Sequence, residues 1–171
     1  MQDFELRLRF KFTKGNSGMQ VRSKEIAKWQ VRGFQVEIAD TTKMGLWHHS
    51  LFPENYRSHL ATAGQFVRIG TDGKKKTTQR AAPAKVKSFC RNYEWNELVV
   101  IAKGPRLLQR INHVVFAELV DEDAEYEARS GLLALQDHGI GFVTAIKGHS
   151  NKALQYKQQK EGDQLSDPSC G

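Results

Sequence analysis

Apolar and charged side chains alternate from Asp3 to Phe12, with Phe4, Leu6, Leu8, Phe10 and Phe12 on one side and Glu5, Arg7, Arg9 and Lys11 on the other. A period of two over this length predicts a strand with one buried and one wet face, because successive side chains leave opposite sides of a pleated chain. Gly15-Asn16-Ser17-Gly18 predicts a turn. Alternation resumes over residues 19–23 and again over 34–38, where Phe34, Val36 and Ile38 oppose Gln35 and Glu37. Further strands are predicted over 66–69, 95–102, 107–111, 114–119 and 132–138. Their punctuation is Thr71-Asp72-Gly73, Lys103-Gly104-Pro105 and Asn112-His113. Helical periodicity is weak throughout, and the acidic stretch 122–129 reads as a loop or a single helical turn. Many short strands between glycine and proline signals predict an all-β sandwich or jelly roll.

The pattern stops near residue 141. Residues 147–171 are rich in Lys, Gln, Ser and Gly and poor in apolar groups, a composition that buries too little surface to offset ordering entropy. The predicted organisation is one sandwich domain over 1–141 and a disordered tail over 142–171. The chain has 171 residues, enough for a single core, and carries 26 Lys+Arg against 19 Asp+Glu, a formal charge of +7. Much of that excess sits in Lys74-Lys75-Lys76 with Arg80, read as a solvated loop, and in the tail at Lys152, Lys157 and Lys160. No nucleic-acid motif accompanies it, so no nucleic-acid partner is expected. Cys90 and Cys170 lie far apart with no metal-ligand spacing. No apolar run is long enough to span a membrane, and no secretory signal opens the chain.

Four segments in order carry a family resemblance. They are Asp3-Phe4-Glu5-Leu6 with Gly15-Asn16-Ser17-Gly18 and Arg22-Ser23; Gly33 to Ile38 with Asp40 and Gly45-Leu46-Trp47; Glu94-Trp95-Asn96-Glu97 with Ala102-Lys103-Gly104; and Ser130-Gly131-Leu132 through Leu135-Gln136-Asp137-His138-Gly139. Over about residues 3–139 the chain resembles the 3-keto-disaccharide hydrolase family, a bacterial group. The resemblance implies a concanavalin-like β-sandwich, a carbohydrate substrate and relatives that are commonly exported. Three departures stand beside it. Members usually have a strand or two before the Asp-Phe-Glu-Leu segment. They end in a strand that is not recognisable here, the match fading after Gly141. Their Asn-Gly hairpin is Asn112-His113 in this chain, and His takes positive φ less readily than Gly. The first two departures predict a reading frame truncated at both ends, with a frameshift near Gly139, unpaired sheet edges and exposed apolar surface.

Alternation places Gln20 with Arg22, Gln35 with Glu37, and Ala134 with Gln136 and His138, three polar sets on wet faces. The resemblance implies that these strands are neighbours over one carbohydrate-sized hollow. The reaction it implies starts with a sugar oxidised at C3, whose ketone acidifies the C2 hydrogen. A base removes that proton, the C1 substituent leaves by β-elimination, and water adds. This needs an acid and a base, for which Glu37, Asp40 and His138 are the candidates, and a group for the enolate oxygen, for which Arg22 is the candidate. A divalent metal would serve in place of Arg22, although no metal motif is present. Asn16, Gln35 and Gln136 would orient hydroxyls, and Trp47 would stack on a sugar face. Blander readings stay open: an Arg22–Glu37 ion pair on a wet face, a surface His138, Asp40 and Asn16 as turn formers, Trp47 in the core. Trp29 and Trp95 read as packing residues, and His48-His49 as a poor shared metal site because adjacent side chains diverge. Against the enzyme stand two other classes, a non-catalytic carbohydrate-binding module and an inactive truncated remnant. Oligomeric state is not encoded in any pattern of the chain.

Overall fold

A computed structural model of the protein describes residues 2–39, 44–49, 57, 59–126, 128–137 and 143–153. The expected all-β sandwich is present. Its strands are β1 (Phe4–Lys14), β2 (Ser17–Ala27), β3 (Gln30–Ile38), β4 (Gly45–His49), β5 (His59–Thr62), β6 (Gln65–Ile69), β7 (Lys75–Gln79), β8 (Asn96–Lys103), β9 (Arg106–Ile111), β10 (Val114–Asp121), β11 (Leu132–Leu135) and β12 (Val143–Ala153). Among the described residues one short helix, α1 (Pro83–Lys87), precedes β8; the sequence pattern does not announce it. A seven-stranded sheet runs β12-β1-β8-β9-β10-β6-β7 and packs on a five-stranded sheet, β11-β2-β3-β4-β5. Neighbours are antiparallel except the parallel pair β6–β10.

The core lies between the sheets. Phe4, Leu6, Leu8, Phe10 and Phe12 of β1 meet Met19 and Val21 of β2 and Phe34, Val36 and Ile38 of β3. The alternation read from the sequence is thus the division between the core face and the opposite face, which is exposed at Arg7 and Arg9 of β1 but buried at Gln35 and Glu37 of β3. The turn at Gly15 and Asn16 is not a hairpin: β1 and β2 belong to different sheets, so it is a corner between layers. The Asn112-His113 hairpin accommodates its unusual residue. Both residues take positive φ, 47° and 70°, and the Asn112 side chain ties the turn to Phe89, Asn96 and Glu97.

Two expectations are corrected. Residues 143–153, assigned to a disordered tail, form β12, antiparallel to β1 from Phe4↔Ala153 to Lys14↔Val143. β1 is therefore paired on both flanks, by β12 and β8, and is not an open edge. Edge strands draw their stability from the neighbour's backbone and tolerate charge, so a segment with Lys147 and Lys152 shows no amphipathic alternation. The same holds for Lys75 and Lys76, read as a loop and found in β7, the opposite edge. Residues 154–171 lie outside the described residues.

Candidate functional site

The face of the five-stranded sheet that points away from the core carries the polar residues. Gln20 of β2 is register partner to Gln35 of β3, Gln35 to Trp47 of β4, and Trp47 to His59 of β5. Because they are register partners, their side chains share one face in a row across the sheet. Trp47 and His59 pack ring against ring, centroids 3.7 Å apart. One row along, Gly18 faces Glu37. A Cβ on Gly18 would lie 2.7 Å from Cδ and Cγ of Gln35, so only glycine leaves room for that side chain.

Glu37 is the centre of a hydrogen-bonded cluster. Asn16 Nδ2 donates to Glu37 Oε1 at 2.6 Å, and Gln35 Nε2 donates to Glu37 Oε2. The same Gln35 nitrogen donates to Gln136 Oε1 at 3.0 Å, and Gln20 Nε2 donates to Gln35 Oε1. Ser23 Oγ completes the chain by donating to Gln20 Oε1 at 3.2 Å. Gln136 is held by its backbone, its N–H donating to Gly18 O and its carbonyl accepting from Ser17 Oγ. Gln20, Gln35 and Glu37 are each buried, at 2%, 4% and 2% exposure. Buried amides and a carboxylate that partner one another hold fixed orientations, the condition for aiming polar groups at a ligand. A hollow of about 640 Å³ opens over this face, bounded by Gln20, Ala134 and Gln136.

Arg22 is elsewhere, which overturns its expected place beside Gln20. β2 carries one extra residue against β3 between Val21↔Phe34 and Lys24↔Arg32. Arg22 sits in this bulge at φ 50°, and a bulge of this kind reverses the order of faces beyond it. Ser23, not Arg22, falls on the side of Gln20. Gly33 lies against the bulge, where a Cβ would come within 2.7 Å of Ser23 Cα. The guanidinium of Arg22 is spent on structure: it donates to Gln2 O (3.0 Å), Gly104 O (2.6 Å) and Asp3 Oδ1 (3.0 Å). It thereby fastens the five-stranded sheet to the start of β1 and the β8–β9 turn. Burial pushes its pKa below the ordinary value, and the Asp3 carboxylate pulls in the opposite sense. There is no Arg22–Glu37 pair among these contacts.

Of the other sequence candidates, Asn16, Gln35, Glu37 and Gln136 come together as described, and Trp47 shares their face. Asp40 and His138 lie outside the described residues. His48 turns to the core side, edge-on to Phe34 and Tyr126. Among the described residues no three His, Cys, Asp or Glu side chains gather as a metal's donor set. No helix among them is long and apolar enough to cross a membrane.

Sequence reasoning missed Ser23, His59 and Trp29. Ser23 is displaced onto the face by the bulge, and His59 lies in a strand with no alternating signal. Trp29, read as a packing residue, is 89% exposed at the β2–β3 turn. Trp95 does find a partner, with Lys147 Nζ 4.0 Å from its ring centroid.

Among curated proteins none matches the chain. Solved structures share its fold at low identity. The carbohydrate-binding module CBM66 from Bacillus subtilis is 11% identical, with a TM-score of 0.56 over 90% of this chain and 76% of the other. A candidate glycosyl hydrolase from Parabacteroides distasonis is 14% identical, with a TM-score of 0.55 over 90% of this chain and 79% of the other. A second one from that organism is 15% identical, with a TM-score of 0.52 over 90% and 73%. These likenesses agree with the concanavalin-like sandwich. The family model of the 3-keto-alpha-glucoside-1,2-lyase-like domain matches residues 1–158, running through β12 and past the point where the sequence resemblance fades, and the chain belongs to that carbohydrate-active family, the 3-keto-disaccharide hydrolases.

Proposed function

We propose that the protein cleaves 3-keto-glycosides by abstraction of the C2 proton, β-elimination of the C1 substituent and hydration of the resulting enone. The observation that carries the reading is the enclosed cluster of Glu37 with Asn16, Gln35, Gln20 and Gln136, which borders the hollow through Gln20 and Gln136. Glu37 is the base: its carboxylate takes the C2 proton, and the electron pair passes to the C3 oxygen as an enolate. The amide groups of Gln35, Gln20 and Gln136 orient the ring hydroxyls, and amide N–H donors take the enolate role first given to Arg22. The enolate collapses, the C1–oxygen bond breaks, and the leaving oxygen is protonated by His138 or Asp40. Water then adds across the enone. Trp47 supplies an apolar surface for the sugar at the end of the row.

Incubation with a 3-keto-glucoside, following release of the leaving alcohol, tests this. Glu37→Gln keeps the shape and the hydrogen-bonding length of the side chain and removes its basicity. The expected result is turnover lowered by about a hundredfold or more with binding retained, the loss typical of removing a positioned base. Unchanged turnover in Glu37→Gln sinks the assignment.

A second reading, a carbohydrate-binding module without catalysis, draws on one observation: with Arg22 committed to structure, the described part of the cluster holds one ionisable group among neutral amides. Saturable sugar binding with no turnover in the unaltered protein would select it.

A further inference from the structure

The hollow that meets the Glu37 cluster at Gln20 and Gln136 does not end there. It continues along β2 toward the β2–β3 turn, where Trp29, Val31, Leu132 and Leu135 line it together with Glu25 and Asp137. Gln20 and Glu25 are five positions apart on one strand, a span of about 16 Å, longer than a single pyranose ring.

Trp29 is poorly explained by the fold. It occupies the turn at φ 63°, a conformation costly for bulky residues and natural for Gly or Asn. Its indole gains almost nothing from burial, being 89% exposed. Leu135 and Leu132 beside it are also open, at 56% and 45%. An aromatic plane and two leucines facing an aqueous hollow suit the flat apolar face of a ring. Charge narrows the class further. The chain carries a net +7, yet among the described residues the only charged side chains lining this hollow are the acids Glu25 and Asp137. An anionic ligand is disfavoured there. Gln30, Gln20 and Gln136 supply hydrogen bonds along the same wall.

We infer that Trp29 is the platform of a second subsite, which takes an uncharged ring joined to the sugar at the Glu37 cluster, that is, the leaving group of the scissile bond. The inference rests on the proposed function for its orientation, with the oxidised sugar over Glu37 and the departing ring over Trp29. The ring is either a second neutral hexose or an aryl group; both present an apolar face.

Trp29→Gly tests it, because glycine suits the turn and the fold has little to lose. The melting temperature should hold or rise. Three substrates are compared: a methyl 3-keto-glucoside, an aryl 3-keto-glucoside and a 3-keto-disaccharide. In the variant, kcat/KM for the ring-bearing substrates relative to the methyl glycoside should fall by about tenfold, the worth of one aromatic contact. A fall confined to the aryl or to the disaccharide substrate names which ring the subsite is built for. Ratios that do not change overturn the inference. If the unaltered protein turns over none of the three, calorimetric binding of the unoxidised aryl glucoside and disaccharide decides the matter separately. Ring-dependent affinity lost in Trp29→Gly then upholds the subsite while the catalytic reading falls, and its absence overturns the subsite as well.

Discussion

Replacing Arg22 by Met separates structure from catalysis at the position where the alternation of β2 was misleading. Methionine keeps an unbranched stem and leaves the left-handed backbone at φ 50° no easier or harder to adopt. What is removed is one buried cation, its side chain 1% exposed, and hydrogen bonds to Gln2 O, Gly104 O and Asp3 Oδ1. Breaking a buried ion pair by deleting one partner costs about 3–5 kcal/mol, since the other partner is left uncompensated. Asp3 softens this. Its side chain is 23% exposed, and it still accepts the Gly104 N–H at 3.0 Å. The expected loss is therefore near the lower bound, about 3 kcal/mol, or about 6–12 °C in melting temperature for a chain of this size. The assay is a thermal melt together with kcat/KM, or sugar affinity, measured well below the transition. Stability should fall while activity per folded molecule is unchanged, because the guanidinium faces away from Glu37. A melting temperature within about 2 °C of the unaltered protein, equivalent to less than 1 kcal/mol, would refute the fastening role. Lost activity in a fully folded population would return Arg22 to the site.

Two further outcomes follow from the same geometry. Gly18→Ala would put a methyl group 2.7 Å from the Gln35 side chain and displace it; the expected stability cost is about 1–3 kcal/mol, accompanied by a fall in sugar affinity visible in calorimetry, and an unchanged affinity would deny Gln35 its orienting role. Burial pushes the Cys90 thiol up to about 11, so the Cys90 peptide should stay unmodified by iodoacetamide at pH 8 in the folded protein and react on unfolding, its rate climbing as pH approaches that value; mass spectrometry of the peptide reads both, and brisk native labelling would contradict the burial.

The parts of the fold that the sequence displays are those in which one face of a strand is buried. β1 and β3 alternate cleanly because one side of each is core, and the same alternation put Gln35 and Glu37 together on the other side. β7 and β12 are edge strands held by backbone pairing, and they leave no periodic trace. The site was legible wherever the period of two holds, at Gln20, Gln35 and Glu37; Gln136, expected inside a strand over 132–138, lies just past the end of β11 at Leu135. It failed at Arg22 because one inserted residue changes which face follows, and nothing in Val21-Arg22-Ser23-Lys24 marks the insertion. It failed at Trp29 because indole is ordinarily an interior group, and only the turn geometry shows it facing water.

That inserted residue in β2 links two tasks. By swinging Arg22 inward it stitches the layers together, and by the same half-turn it brings the Ser23 hydroxyl beneath Gln20. Deleting Arg22 would regularise the ladder and remove the stitch alone, whereas deleting Ser23 would turn Arg22 to the outer face and undo both at once. Length at this point of the strand is therefore under tighter constraint than the identity of most side chains around it.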